Sequence, residues 1–122
     1  MSWSVSLCDP KTLEIAEIDF PARMSATGLF LPASRREAFI TVTSNYDDIY
    51  RRHDVLGPLG LQKFNGMCAQ DSVVLLLQAM HALKDDAHLQ DYWSPTEGNA
   101  KRPLRYMYNV SKAFPSGVWE VV

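Results

Sequence analysis

The sequence predicts an α+β fold, a small antiparallel or mixed sheet of about four strands with two main helices on one face. Three observations carry that reading. The chain opens on a strict two-residue alternation. A run of β-branched and aromatic residues follows at positions 38–43. Two helical segments then precede a short apolar end at 118–122, so strands come first, helices next and a strand last, in the order β-β-β-α-α-β.

Trp3, Val5 and Leu7 alternate with Ser2, Ser4 and Ser6, the period of a half-buried strand. Asp9-Pro10-Lys11-Thr12 signals a turn. Leu13, Ile15 and the region of Ile18 then read as the returning strand of a hairpin. Positions 19–37 are irregular, with Pro21, Gly28 and Pro32 among scattered apolar residues. Ala38-Phe39-Ile40-Thr41-Val42-Thr43 is the best strand signal in the chain. It ends at Ser44-Asn45, residue types suited to a turn or helix cap.

Positions 46–53 predict a short helix with Ile49 inward. Gly57-Pro58-Leu59-Gly60 breaks the chain, and 59–67 reads as a helical turn burying Leu61 and Phe64. The clearest helix covers about residues 70–84, where Val73, Val74, Leu76, Leu77, Met80 and Leu83 follow helical spacing. Asp71 near its start and Lys84 near its end suit the helix dipole. Thr96 is the predicted cap of a last helix reaching about Ala113, with Leu104, Met107, Tyr108 and Val110 buried. Pro103 predicts a kink or an effective start there, because it removes an amide donor and opposes the carbonyl of Asn99. Pro115-Ser116-Gly117 ends the helix, and Val118-Trp119-Glu120-Val121-Val122 is the final strand.

The 122 residues suit a single domain, positions 1–122, without repeat or linker. With 47% hydrophobic and 21% charged residues, the composition is that of a globular chain. A net charge of −2 argues against a nucleic-acid partner. The opening residues have neither the basic n-region nor the apolar h-region of a signal peptide. The longest apolar run, Val73 to Leu77, is too short to span a bilayer. Cys8 and Cys68 then read as reduced, buried thiols of a cytoplasmic protein.

No side-chain pattern specifies a reaction. His53, His81 and His88 lack metal-ligand spacing, so no metal or cofactor is expected. Cys68 precedes a helix, but its neighbours Met67 and Ala69 favour a buried thiol over a nucleophile. Asp47-Asp48 and Asp85-Asp86 are adjacent carboxylates, which do not face each other on a helix. Glu97 is the better candidate for a general base, but a first-turn glutamate is favourable for the helix dipole alone. Gly98-Asn99 beside Lys101 and Arg102 is a weak anion-binding signal without a phosphate-loop motif. The doublets Arg35-Arg36, Arg51-Arg52 and Lys101-Arg102 are interleaved with acidic residues, as on a solvated surface.

Five segments, in order, resemble a family of small, largely uncharacterised proteins of phages, prophages and bacteria. They are the opening strand with Cys8-Asp9-Pro10-Lys11-Thr12; Thr41-Val42-Thr43-Ser44-Asn45-Tyr46; Gly60-Leu61-Gln62-Lys63-Phe64-Asn65-Gly66 before the long helix; Asp91-Tyr92-Trp93-Ser94-Pro95-Thr96-Glu97-Gly98-Asn99-Ala100-Lys101; and the ending Pro115-Ser116-Gly117-Val118-Trp119. Ser44 departs from the aromatic or asparagine usual in the second segment, and Pro103 falls where the family has an ordinary helix former. The resemblance implies a phage-type accessory protein acting against a host system.

The two expectations for a site differ in class. A protein that binds a host protein or complex, as an anti-CRISPR does, would use an aromatic and basic face of Tyr92, Trp93, Lys101, Arg102, Arg105 and Tyr106, residue types that dominate interface hot spots. A small enzyme or nucleotide-binding protein would use a pocket of Asn45, Tyr46, Trp93, Glu97 and Asn99.

Overall fold

The computed structural model describes residues 2–17, 37–86 and 94–122. Strand β1 is Ser2–Cys8, β2 is Phe39–Thr43 and β3 is Val118–Val121. The helices are α1 (Asp47–Tyr50), α2 (Ala69–His81) and α3 (Glu97–Ala113), with 3₁₀ turns at Ser44–Tyr46 and Gly60–Phe64. This is an α+β fold. Among the described residues no helix is long and apolar enough to cross a membrane.

The three strands form one antiparallel sheet in the order β2-β1-β3. β1 is the central strand. Val5 lies opposite Ile40 on one side and Val121 on the other, and Leu7 lies opposite Trp119. These inward residues are all buried. The outer edge of β3 is covered by the chain before α2. Gly66 donates to the Trp119 carbonyl at 2.8 Å, and Trp119 donates to the Met67 carbonyl at 2.9 Å. The Asn65 side chain accepts the Val121 amide at 3.0 Å.

The predicted returning strand shrinks to isolated bridges, Cys8 with Ile15 and Glu17 with Glu37. The reason lies in the turn. The Asp9 carboxylate accepts the Lys11 and Thr12 amides at 2.8 and 3.3 Å, and Leu13 adopts a positive φ of 61°. The chain then wedges between β1 and the start of β2. Ala16 donates to the Leu7 carbonyl and Ala38 donates to the Ala16 carbonyl, each at 2.8 Å, which ends the hairpin after a few residues. Ile18 and the irregular segment through position 36 lie outside the described residues.

Helix α2 begins one residue before the predicted start and presents a different face. Ala69, Ser72, Leu76, Ala79 and Met80 are buried, with Leu83 just beyond. Val74 and Leu77, expected in the core, are 59% and 39% exposed. Both stripes share Leu76, Met80 and Leu83, so spacing alone could not separate them. Packing chose the side with Ala69, Ser72 and Ala79, whose small side chains let α2 approach α3.

Helix α3 starts at the predicted cap. Thr96 Oγ1 accepts the Asn99 amide at 3.1 Å, and Asp86 Oδ1 accepts the Gly98 amide at 2.8 Å. Two of the amides left open at a helix start are thereby satisfied. Pro103 lies well inside the helix rather than in its first turn, and the helix continues through it. Both helices meet the inward face of the sheet at Trp119, whose indole reaches Ser72 on α2 and Ser111 on α3. Gly117 is required just before β3. A Cβ there would lie 2.6 Å from the Leu7 side chain.

Candidate functional site

The start of α3 is a charged junction held by its own partners. Arg52 grips Asp54 with two hydrogen bonds, at 3.0 and 2.7 Å, and reaches Glu97 at 3.4 Å. Glu97 also accepts the Lys84 amide at 3.2 Å. Lys101 donates to Asp85 at 2.8 Å and to the Leu83 carbonyl at 3.4 Å. Hydrogen bonds from these cations hold the Asp54 and Asp85 carboxyls below the usual range. Glu97 and Lys101 thus tie the 52–54 and 83–86 turns to the helix.

The basic and aromatic face expected on α3 does not form as a surface among the described residues. Tyr106 is fully buried in the core and Arg102 is 4% exposed. Both lie on the inward side of a helix in which most residues are buried. Lys101 is half-buried against Asp85, while Arg105 is exposed. Tyr92 and Trp93 lie outside the described residues.

Four residues of the expected pocket, Asn45, Tyr46, Glu97 and Asn99, fall among the described residues. Tyr46 is buried and stands edge-on to Tyr50, with ring centroids 6.0 Å apart at 76°. Tyr50 in turn donates its hydroxyl to the Ala100 carbonyl at 2.6 Å. Burial, with Tyr46 and Asp47 close by, pushes the Tyr50 phenol well above its ordinary pKa. Asn99 is buried, and its side-chain amide donates to the Ser94 carbonyl at 3.0 Å. Glu97 belongs to the charged junction. Of the expected set, Asn45 lines a cleft, and Trp93 lies outside the described residues.

That cleft is at the end of the sheet where β1 begins and β2 ends. It measures about 640 Å³ and is lined by Ser2, Trp3, Ser44, Asn45, Asp47, Asp48, Arg51 and Val122. Trp3 is placed on β1 opposite Val42, and its indole N–H donates to Asp47 Oδ1 at 2.7 Å. That bond fixes both the ring and one carboxylate oxygen. Thr43 caps the turn that carries Asn45, accepting its amide at 3.2 Å. Asn45, Asp48 and Arg51 are exposed around the opening. The cleft therefore offers an aromatic wall, an amide and both signs of charge. The sequence marked Trp3 only as a strand residue and Asp47-Asp48 only as neighbouring carboxylates. Their juxtaposition depends on a pairing 44 positions apart.

Both cysteines are free, Cys8 buried and Cys68 half-buried. Burial raises the Cys8 thiol pKa, and the Cys68 Sγ donates to the Pro115 carbonyl at 3.3 Å. Among the described residues no group of three or more histidine, cysteine, aspartate or glutamate side chains is placed to hold a metal ion. The molecule is a small α+β domain with a three-stranded antiparallel sheet and a mixed-charge cleft at one end of it. Comparison with protein-family models, curated proteins and solved structures gave no match.

Proposed function

We propose that this protein acts by stoichiometric binding to a host protein or complex, as a cytoplasmic phage or prophage accessory protein of the anti-CRISPR kind. The ordered resemblance of five segments supports the accessory role. The observation that carries the binding reading is the cleft, where the Trp3 ring is held by Asp47 beside exposed Asn45, Asp48 and Arg51. A fixed aromatic wall with charged groups at its rim suits a side chain of a partner, since tryptophan and arginine are recurrent interface anchors.

The test is capture of a partner from a bacterial lysate, followed by titration of the purified pair. Saturation near one equivalent is expected. Asp48→Lys with Arg51→Glu should abolish capture, while Arg105→Glu on α3, outside the cleft lining, should leave it intact. Time-dependent inactivation of the target at sub-stoichiometric amounts, abolished by Glu97→Gln in a folded protein, would establish an enzyme instead.

A further inference from the structure

Arg102 lies in the second turn of α3 and is 4% exposed. A guanidinium carries its charge into whatever surroundings it enters. Among the described residues, neither Nη1 nor Nη2 has a hydrogen-bond partner. The neighbouring cations differ. Lys101 is paired with Asp85 and the Leu83 carbonyl, and Arg105 is exposed to water. A buried charge without an acceptor is strongly unfavourable, whereas the same charge on a matched anion is tolerated.

The local charge adds to this. Lys101, Arg102 and Arg105 fall within two turns of one helix, and Asp85 is the carboxylate placed against Lys101. Asp86 and Glu97 at the start of the helix are themselves engaged, with the Gly98 amide and with Arg52 and the Lys84 amide. Two coplanar N–H groups match the two oxygens of a carboxylate, or two oxygens of a phosphate.

We infer that Arg102 is the anchor of an oxyanion-binding site on α3, taking a carboxylate or phosphate group of a ligand by paired donation from Nη1 and Nη2. The inference stands apart from the cleft. It uses none of the cleft residues and does not require a protein partner.

The test uses the full chain labelled with ¹⁵N. Inorganic phosphate and sodium acetate are titrated separately at constant ionic strength, and the Arg102 side-chain resonances are followed. A saturable shift with phosphate assigns a phosphate-type ligand, and one with acetate assigns a carboxylate. Thermal melts in the same buffers provide the second reading. The wild type should gain several degrees over its value in chloride, and Arg102→Met should not show that specific gain. Arg102→Lys keeps the charge but lacks the fork, so its affinity should be at least about tenfold weaker. Arg102 resonances unmoved by either anion would overturn the site. So would an Arg102→Met protein that responds to both anions as the wild type does. The resonance titration needs no variant, so a misfolded substitution leaves the inference open to refutation.

Discussion

Trp119 on β3 donates its indole N–H to Ser111 on α3 across 3.0 Å, deep in the core. The same N–H lies 3.1 Å from Ser72 on α2, and the two serine hydroxyls are 3.1 Å apart. Ser72 passes its own proton to the Ala69 carbonyl at 2.7 Å. One polar cluster therefore joins the sheet to both long helices. Removing one serine should leave the indole with the other, so Ser111→Ala should cost about 1 kcal/mol. The double change Ser72→Ala with Ser111→Ala orphans a buried donor and should cost about 1–3 kcal/mol more than the single change. Urea denaturation of the set measures both, and an additive, near-zero result would refute the network.

Helix α2 offers a contrast within adjacent positions. Leu76 is fully buried and Leu77 is 39% exposed. Leu76→Ala should cost about 2–5 kcal/mol as a core truncation. Leu77→Ala should cost less than about 1 kcal/mol. Equal losses in denaturation midpoint would place the buried face elsewhere.

The start of α3 depends on Thr96. Its hydroxyl accepts the Asn99 amide, so Thr96→Ala should destabilise by about 1 kcal/mol and Thr96→Ser by less. Hydrogen exchange should quicken at the Asn99 amide in the alanine variant alone.

Gly117 is a matter of space. An added Cβ would meet Leu7 at 2.6 Å and Phe114 at 2.7 Å. Gly117→Ala should therefore cost about 1–3 kcal/mol by overpacking. Leu7→Ala removes both contacting atoms of that side chain, so Gly117→Ala should cost less in that background than in the wild type, as read in thermal melts of the double-mutant cycle.

Asp85 supplies a dependence on pH. The hydrogen bond from Lys101 holds its carboxyl below 3.8, with Lys101 and Arg105 charges acting the same way. A depressed carboxylate stabilises fully above its unfolded pKa, and the contribution is lost as pH falls through the folded value. Carboxyl NMR should give a midpoint below 3.8 for Asp85, rising in Lys101→Met. An unmoved midpoint would show that the pair does not form in solution.

Local chemistry was enough for much of this chain. Alternating serines with Trp3, Val5 and Leu7 dictated a strand, because a two-residue period can bury one face only in extended backbone. The β-branched run at 39–43, the Thr96 cap and the turn at Asp9 were likewise set by residues close in sequence. The buried face of α2 was decided only by tertiary packing. Its apolar residues lie on more than one side, and small side chains at Ala69, Ser72 and Ala79 determined which side met α3. The same holds for the sites. Arg102 and Tyr106 read as surface residues because charge and aromaticity do not encode which way a helix faces. Trp3 and Asp47 read as unrelated until the sheet brought β1 beside the end of β2. Contacts between residues 44 positions apart are products of the closed fold. Periodicity reports on neighbours within a few residues, and burial depends on what the rest of the chain brings against them.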